Sequence, residues 1–530
     1  MLTGLLSGAV GVCVGFLISG FTTPIGSPVV AVAQLMIDLS PPPVKNFAIR
    51  EFGSHDKFVL QIGVLVVLAV FAAFIGVLAQ RRLANGLTGI VIFAAVGLIA
   101  AGTRPTATAA DLLPTLIGSA AAALVMVALT RAGAPRAGTR PASAPTAAET
   151  GPAAAGQPEP AGAGRPPAAS LRVSEPDRRQ FVTYSAVAAG AAAVSYLGGR
   201  LRTESASVAR DVNALRLPAA AQPVPPPPLG ADLHVPGLGP FITPNSSFYR
   251  VDTAIVLPQI PPSSWHLRVH GMVSRELTLT FDELIRRPLI EDYITLCCVS
   301  NPVGGPYIGN AKWLGASLGS LLREAGIRAG ANQLYCTSFD GFTSGTPVQT
   351  AMDGRDALLA VGMNGKALPT AHGFPVRTVV PGLYGYVSAC KWITDIEVTT
   401  YAANHAYWSV RGWSQQAPVK TQSRIDVPSG RSSVKAGPTT IAGVAWAQHK
   451  GIDAVEVRVD RGPWRQAKLA AVPGLDTWRQ WSAGWNASPG THRIEARATD
   501  ATGYTQTGLG APPEPNGATG YPIVTVNVAR

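Results

Sequence analysis

Charge is scarce in this chain, and so is cysteine. Only 14% of residues are Asp, Glu, Lys or Arg, against 47% hydrophobic ones. The five cysteines are Cys13, Cys297, Cys298, Cys336 and Cys390, and no two are spaced as Cys-x-x-Cys. That excludes a disulfide framework and a thiolate zinc finger. The neighbours Cys297 and Cys298 make a poor disulfide, because vicinal geometry is strained. No run of Lys and Arg is interleaved with aromatics, so the formal charge of +12 does not mark a nucleic-acid partner. Much of that charge is Arg beside apolar runs, the pattern of membrane topology.

What is there divides in two. The first 200 or so residues carry four long apolar segments, Leu2–Phe21, Phe58–Gln80, Leu87–Ala101 and Leu112–Thr130. Crossing ~30 Å of hydrocarbon takes about 20 residues, so the third must borrow flanking residues. Pro24 and Pro28 stop the first segment. The shorter stretch Val29–Leu39 reads as either interfacial or re-entrant. Arg81 and Arg82, then Arg131, Arg136 and Arg140, mark cytoplasmic loops, while the loops at 22–57 and 102–111 are nearly balanced. Residues 1–131 therefore read as a four-helix transmembrane region with its N-terminus inside.

Residues 132–176 are Pro, Ala and Gly with few large side chains, and are expected to be a disordered cytoplasmic linker. Asp177-Arg178-Arg179-Gln180-Phe181-Val182 and the apolar run to Gly198 follow. This stretch resembles a twin-arginine export signal placed inside the chain. The plainer reading is two positive-inside arginines before a fifth helix, 177–199. Either way the remainder lies outside the cytoplasmic membrane. None of the five segments contains His, so no haem is expected in the bundle. They show no buried charge for an ion pathway either, so the bundle reads as an anchor.

The second half reads as soluble. Residues 200–239 form a second Pro-rich spacer, with Pro225–Pro228 unbroken. From 240 to 416 strand-like runs (Trp265–Val269, Glu276–Thr280, Tyr293–Leu296, Val376–Val380) mix with helical ones (Phe281–Arg287, Ser317–Ala325), which predicts an α+β domain. From 417 to 530 strand-like runs recur between Gly, Pro and Asp turns: Thr439–Trp446, Ala454–Arg458, Thr477–Trp485, His492–Thr499 and Pro522–Val528. That predicts an all-β sandwich.

Ordered motifs cross the α+β part. Thr295-Leu296-Cys297-Cys298-Val299-Ser300-Asn301-Pro302 leads to Gly309-Asn310-Ala311-Lys312-Trp313-Leu314-Gly315. Then come Ser338-Phe339-Asp340-Gly341, the long His372-Gly373-Phe374-Pro375-Val376-Arg377 stretch, Pro381-Gly382, and Ala389-Cys390-Lys391-Trp392. This series resembles the sulfite-oxidase family of molybdopterin-dependent oxidoreductases, and the resemblance runs from about 240 to 530. It implies a molybdopterin domain followed by an immunoglobulin-like dimerisation domain, with Mo-molybdopterin as cofactor. It makes Cys298 the molybdenum ligand, with Cys297 a packed neighbour. It puts Asp340, His372, Arg377 and Lys391 against the pterin and its phosphate. Phe241–Thr253 stands where the family has its first cofactor loop, so Asn245, Tyr249 and Arg250 are candidates there. The residue types suit these tasks. Molybdenum takes a soft thiolate, Arg offers a planar fork to phosphate, and Lys offers a point charge.

The sequence departs from the family in two places. The usual Arg-Asn-His of the first loop is altered, and His405–Ser414 offers Trp413 near where a substrate Tyr is expected, with Arg411 beside it. Both are catalytic candidates, and sulfite is in doubt as substrate. The expected reaction is oxo transfer on a small molecule, either oxidation of a sulfur compound or reduction of an S- or N-oxide. No haem domain is evident, so the electron partner is expected to be separate, a cytochrome or membrane quinones. A cofactor-free scaffold with a degenerate enzyme domain is the alternative. A transporter rests on the helices alone. Joint retention of Cys298, His372, Arg377 and Lys391 favours the enzyme, provided they converge in space.

Overall fold

The computed structural model describes residues 1–22, 26–41, 44, 47, 51, 56–104, 107–132, 178–205, 208–430 and 432–529. Residues 133–176 of the expected linker, Arg136 and Arg140 among them, and Asp177 of the arginine motif lie outside the described residues. The chain forms two compact units. One comprises Met1–Leu35, Leu60–Thr103 and Thr108–Thr203, and the other Met36–Val59, Arg104–Ala107 and Glu204–Arg530.

Among the described residues, five helices are long and apolar enough to cross a membrane: Leu2–Ser19, Lys57–Arg81, Leu83–Gly102, Ala109–Ala132 and Arg179–Arg202. The third reaches 20 residues by taking in Leu83–Gly86, the borrowing its short apolar run demanded. The ambiguous stretch near Val29 is a helix of 12 residues, Pro28–Leu39, too short to span. Helices Leu2–Ser19 and Leu113–Ala132 approach closely where glycines face each other. A Cβ on Gly118 would lie 2.5 Å from the Gly11 carbonyl oxygen. Only the missing side chain permits that approach, the usual device where lipid supplies no hydrophobic drive between helices.

The other unit carries two sheets and a sandwich. One mixed sheet orders Leu277–Thr280, His266–Gly271, Ile393–Thr399, Gln333–Ser338 and Thr343–Pro347. A second, antiparallel sheet orders Leu289–Cys297, Ile308–Ser317, Leu358–Met363 and Lys366–Ala367, with Arg377–Val379 also paired to Leu358–Met363. Local signals set the helix starts. Thr280 caps Phe281–Ile285 in a capping box with Glu283, and Ser317 caps Leu318–Ala325.

The C-terminal sandwich stacks a four-stranded sheet (Gln422–Val427, Gly437–Trp446, Arg479–Ala487, Lys468–Leu469) on a five-stranded one. Its core holds Ile441, Val455, Trp481, Ile494 and Val526. The strand Gln422–Val427 was not evident in the sequence. Gln, Ser, Arg and Asp leave its alternation too weak. Trp478 donates its indole N–H to the Phe241 carbonyl at 2.9 Å, tying the sandwich to the α+β part.

The Pro-rich stretch read as a spacer is a strap instead. Val208 and Ala231 are buried. The Ala221 N–H donates to the Leu289 carbonyl at 2.7 Å, Glu291 N–H to the Gln222 carbonyl at 3.0 Å, and Leu233 N–H to Gln480 Oε1 at 2.7 Å. Proline keeps such a segment extended and lacks the N–H that burial would orphan. The residues between prolines pair with Leu289–Cys297, an otherwise open sheet edge. Composition alone shows the extension but not the surface that receives it.

Candidate active site

Strand Leu289–Cys297 ends one residue before Cys298. The loop beyond is pinned at both sides. Cys298 N–H donates to the Tyr307 carbonyl at 2.9 Å, and Asn301 N–H to the Cys298 carbonyl at 3.1 Å. The buried Asn301 side chain accepts from Tyr307 N–H at 2.8 Å. The two adjacent thiols are thereby distinguished. Burial pushes the Cys298 thiol up, but hydrogen bonds from Ser300 and the Lys391 charge oppose it. Burial pushes Cys297 well above the usual thiol range, against weaker opposition from Asn301 and Arg424. The thiolate is therefore easier to form at Cys298.

Arg377 opens the short strand Arg377–Val379 in the same sheet and is 5% exposed. It donates to three backbone carbonyls, of His372 at 3.1 Å, Ala389 at 3.3 Å and Thr378 at 3.4 Å. Its guanidinium lies 5.2 Å from the Trp313 ring centre. Among the described residues no carboxylate pairs with it. Burial pulls its pKa down to about 10. Gly373 makes the turn possible. Its φ is +110°, and a Cβ there would meet Arg377 Cβ at 3.0 Å and Lys391 Cα at 3.2 Å. His372 Nε2 lies 3.1 Å from the Asn245 carbonyl, which makes it the protonated nitrogen of the neutral ring. Burial, then the Arg377 charge, lowers His372 to about 4, so the ring is neutral at pH 7.

The mixed sheet delivers Lys391, just before Ile393–Thr399, and Asp340, just after Gln333–Ser338. Lys391 Nζ donates to Asp252 Oδ2 at 2.6 Å and to the Ala371 carbonyl at 3.3 Å. Burial lowers Lys391 to about 8 although Asp252 pulls it up. Asp252, with a side chain 5% exposed, also takes Arg250 Nε at 2.8 Å and Lys57 Nζ at 2.5 Å. Burial raises the Asp252 carboxyl, but Lys391, Lys57 and Arg250 outweigh it and hold the group well below the carboxylate range. Burial raises Asp340, with Asp252 adding to it and Lys391 opposing.

Eight of the ten residues singled out from the sequence thus converge. Cys298, Tyr249, His372, Arg377, Lys391, Arg250, Asp340 and Asn245 are linked by hydrogen bonds, through Asp252, or by the charge each feels from another. Tyr249 feels Cys298, Cys297 and Arg377 directly. Asn245 takes part differently than expected. Its side chain donates to the Met363 carbonyl and accepts from Asn364, so it holds the loop while its backbone carbonyl receives His372.

The other two are held by other partners. Arg411 turns to its own loop, donating to the Tyr407 carbonyl at 2.7 Å and lying 3.6 Å over the Tyr407 ring. It also lies 3.5 Å from Asp38. Trp413 is buried in the core against Trp408 and Tyr386, each at 6.0 Å. Sequence reading missed Asp252, Asn301 and Asn364. Only Asp252 left a signal: it stands two residues from Arg250, the spacing that puts both on one side of an extended chain.

Residues 254–408 match the Oxidoreductase molybdopterin binding domain. The chain is 30% identical over 289 residues to the mitochondrial sulfite oxidase of Mus musculus, covering 46% of this chain and 52% of that one. It is 32% identical over 312 residues to the sulfite oxidase of Gallus gallus, covering 49% of this chain and 67% of that one. The chain belongs to the sulfite-oxidase family. It spans about half the length of the mammalian relatives it matches. Among solved structures, the sulfane dehydrogenase SoxCD of Paracoccus pantotrophus is similar at a TM-score of 0.47 and 23% identity. That similarity covers 55% of this chain and 84% of that one.

The family's molybdenum-molybdopterin group suits the residues present. Arg377 is a buried cation lacking an anion, a costly arrangement unless a ligand brings one. Lys391 and the neutral His372 supply further donors for a phosphate and a polar heterocycle. Cys298 offers one soft thiolate. Among the described residues no group of three or more His, Cys, Asp or Glu could hold a metal ion.

Proposed function

We propose that this protein is a membrane-anchored molybdopterin-dependent oxidoreductase that transfers an oxo group. It oxidises a small sulfur compound or reduces an S- or N-oxide, at a molybdenum held by Cys298 outside the cytoplasmic membrane. The observation that carries this reading is Arg377, buried and without a carboxylate, beside a thiol and a neutral imidazole.

Bound there, the molybdenum-pterin group supplies two-electron chemistry coupled to oxo transfer. Reducing an S-oxide consumes two electrons and two protons and yields a sulfide and water. The reverse draws its oxygen from water and gives up the electrons. A separate cytochrome or membrane quinone system exchanges them. The chain's own part is to bind and orient. Cys298 presents its thiolate from a loop locked by Asn301 and Tyr307. Arg377, anchored by three carbonyls, would hold the phosphate. His372 stays neutral and donates or accepts without adding charge. The arginines at 81, 82 and 131 support the sidedness, and the sandwich is the surface for a homodimer.

The test is metal and pterin analysis of the purified full chain, wild type against Cys298→Ser. About one molybdenum per chain with pterin present, and dye-linked turnover lost in Cys298→Ser, supports the reading. Absence of both from a host that makes the cofactor would leave a cofactor-free scaffold.

A further inference from the structure

Lys57 comes to this site from the membrane half of the chain. It stands at the start of the apolar helix Asp56–Arg81, 195 residues before Asp252. Met36–Val59 nevertheless belongs to the same compact unit as the site. Lys57 Nζ donates to Asp252 Oδ1 at 2.5 Å and to the Ala254 carbonyl at 2.8 Å, and it has further partners. Asp252 Oδ2 takes Lys391 at 2.6 Å and Arg250 Nε at 2.8 Å, and Arg250 Nη2 reaches Oδ1 at 3.3 Å. The Lys57 and Asp252 side chains are only 22% and 5% exposed, so water competes little for them. Asp38, from the same stretch, accepts the Tyr407 hydroxyl at 3.0 Å. Both contacts need that stretch and the α+β domain on one side of the membrane, as the sidedness proposed above has them.

We propose that Lys57 is a positioning residue of the cofactor site. By fixing Asp252 it holds Lys391 and Arg250 in place, so the connection between the first two membrane-length helices helps retain the cofactor as well as tether the domain. The inference rests on the site assignment proposed above. Two physical effects carry it. The terminal torsion of an Asp side chain is broad, and a carboxylate held chiefly through one oxygen can swing. Lys57 on Oδ1 stops that swing, while Lys391 sits on Oδ2. Lys57 also shares the carboxylate's charge. Without it, Asp252 pulls harder on Lys391 and Arg250 and competes with the cofactor's phosphate for them.

The test uses the full chain as wild type, Lys57→Gln, Lys57→Arg, Asp38→Asn, Asp252→Asn and the double variant Lys57→Gln with Asp252→Asn. Each is first assayed for molybdenum and pterin, and its thermal transition is recorded. Gln keeps a donor for the Ala254 carbonyl and removes only the charge. The readout is the rate at which pterin leaves the loaded protein on dilution, followed by its fluorescence after oxidation. Lys57→Gln should release pterin at least about tenfold faster than wild type, or purify folded without it. Lys57→Arg and Asp38→Asn should stay within about threefold of wild type. Because Lys57 has other partners, the double variant isolates its contact with Asp252 and should release pterin no faster than the faster single variant. Wild-type release by Lys57→Gln overturns the inference, and so do single effects that multiply in the double variant. Asp38→Asn as fast as Lys57→Gln overturns it too, since general loosening of the stretch would then be the cause. So does a Lys57→Gln without a thermal transition, because a positioning role leaves the fold intact. In all these cases a loaded wild type leaves the proposed function standing. Wild type without molybdenum or pterin brings down both, and the metal assay tells the cases apart.

Discussion

Arg377 in the α+β domain and Glu495 in the sandwich are both nearly inaccessible, and their charges are met in opposite ways. Glu495 lies between two arginines, 2.6 Å from Arg458 and 2.7 Å from Arg493, and burial is outweighed so that its carboxyl stays low. Arg377 has three carbonyl oxygens and, among the described residues, no anion. The sandwich closes its own electrostatic balance. The α+β domain leaves one open, and a protein keeps an uncompensated buried cation only where something else supplies the charge. The contrast separates a structural module from a binding one without reference to any relative.

The sharpest way to break the comparison is at the thiol. Cys298→Ser should lower dye-linked turnover by at least about 100-fold, whereas Cys297→Ser should keep most activity and its molybdenum. Equal losses would mean the two thiols are not distinguished as their neighbours suggest. Arg377→Met should reduce bound pterin by about tenfold, and Arg377→Lys should not restore it, since a point charge cannot replace the fork. Unchanged pterin would make Arg377 a structural residue after all.

In the sandwich, Glu495→Gln leaves two arginines facing a neutral amide. Chemical denaturation should show a loss of about 3 kcal/mol with cofactor content unaltered. The next test concerns pH. The folded-state pKa of His372, about 4, lies below its ordinary 6.5. Between those values the unfolded chain binds more protons. The cofactor-free protein should therefore be stabilised above pH 6.5 and lose about 3 kcal/mol as pH falls to 4. His372→Gln should remove that part of the slope, and a slope unchanged in the variant would refute the assignment. The smallest effect is expected at Arg411→Ala, below about threefold on turnover, because its contacts are with Tyr407 and Asp38. A large loss there would move the substrate site towards 405–414.

Much of this site was legible before any coordinates. Cys298, His372, Arg377 and Lys391 stand in ordered motifs, and each motif sits at the end of an element whose pattern is strong. The first loop was harder. Asn245 was read as a cofactor contact, but its side chain is consumed by Met363 and Asn364, partners more than a hundred residues away in the chain. Arg411 looked like a substrate cation because a guanidinium near an expected active-site segment invites that reading. Which way it turns depends on the packing of Tyr407.

Local chemistry in the chain determined the five long apolar helices, the alternation of the sandwich strands, the capped helix starts, and the thiol, imidazole and cations of the site. Hydrophobic length, periodicity and residue type act over a few residues, so they are written in the order of the sequence. Only the tertiary structure decided three other things. The proline-rich stretch lies along an open sheet edge, Arg377 is buried without an anion, and Asp252 stands among three cations. Each of these is a relation between segments distant along the chain, and burial and charge balance exist only once those segments have met.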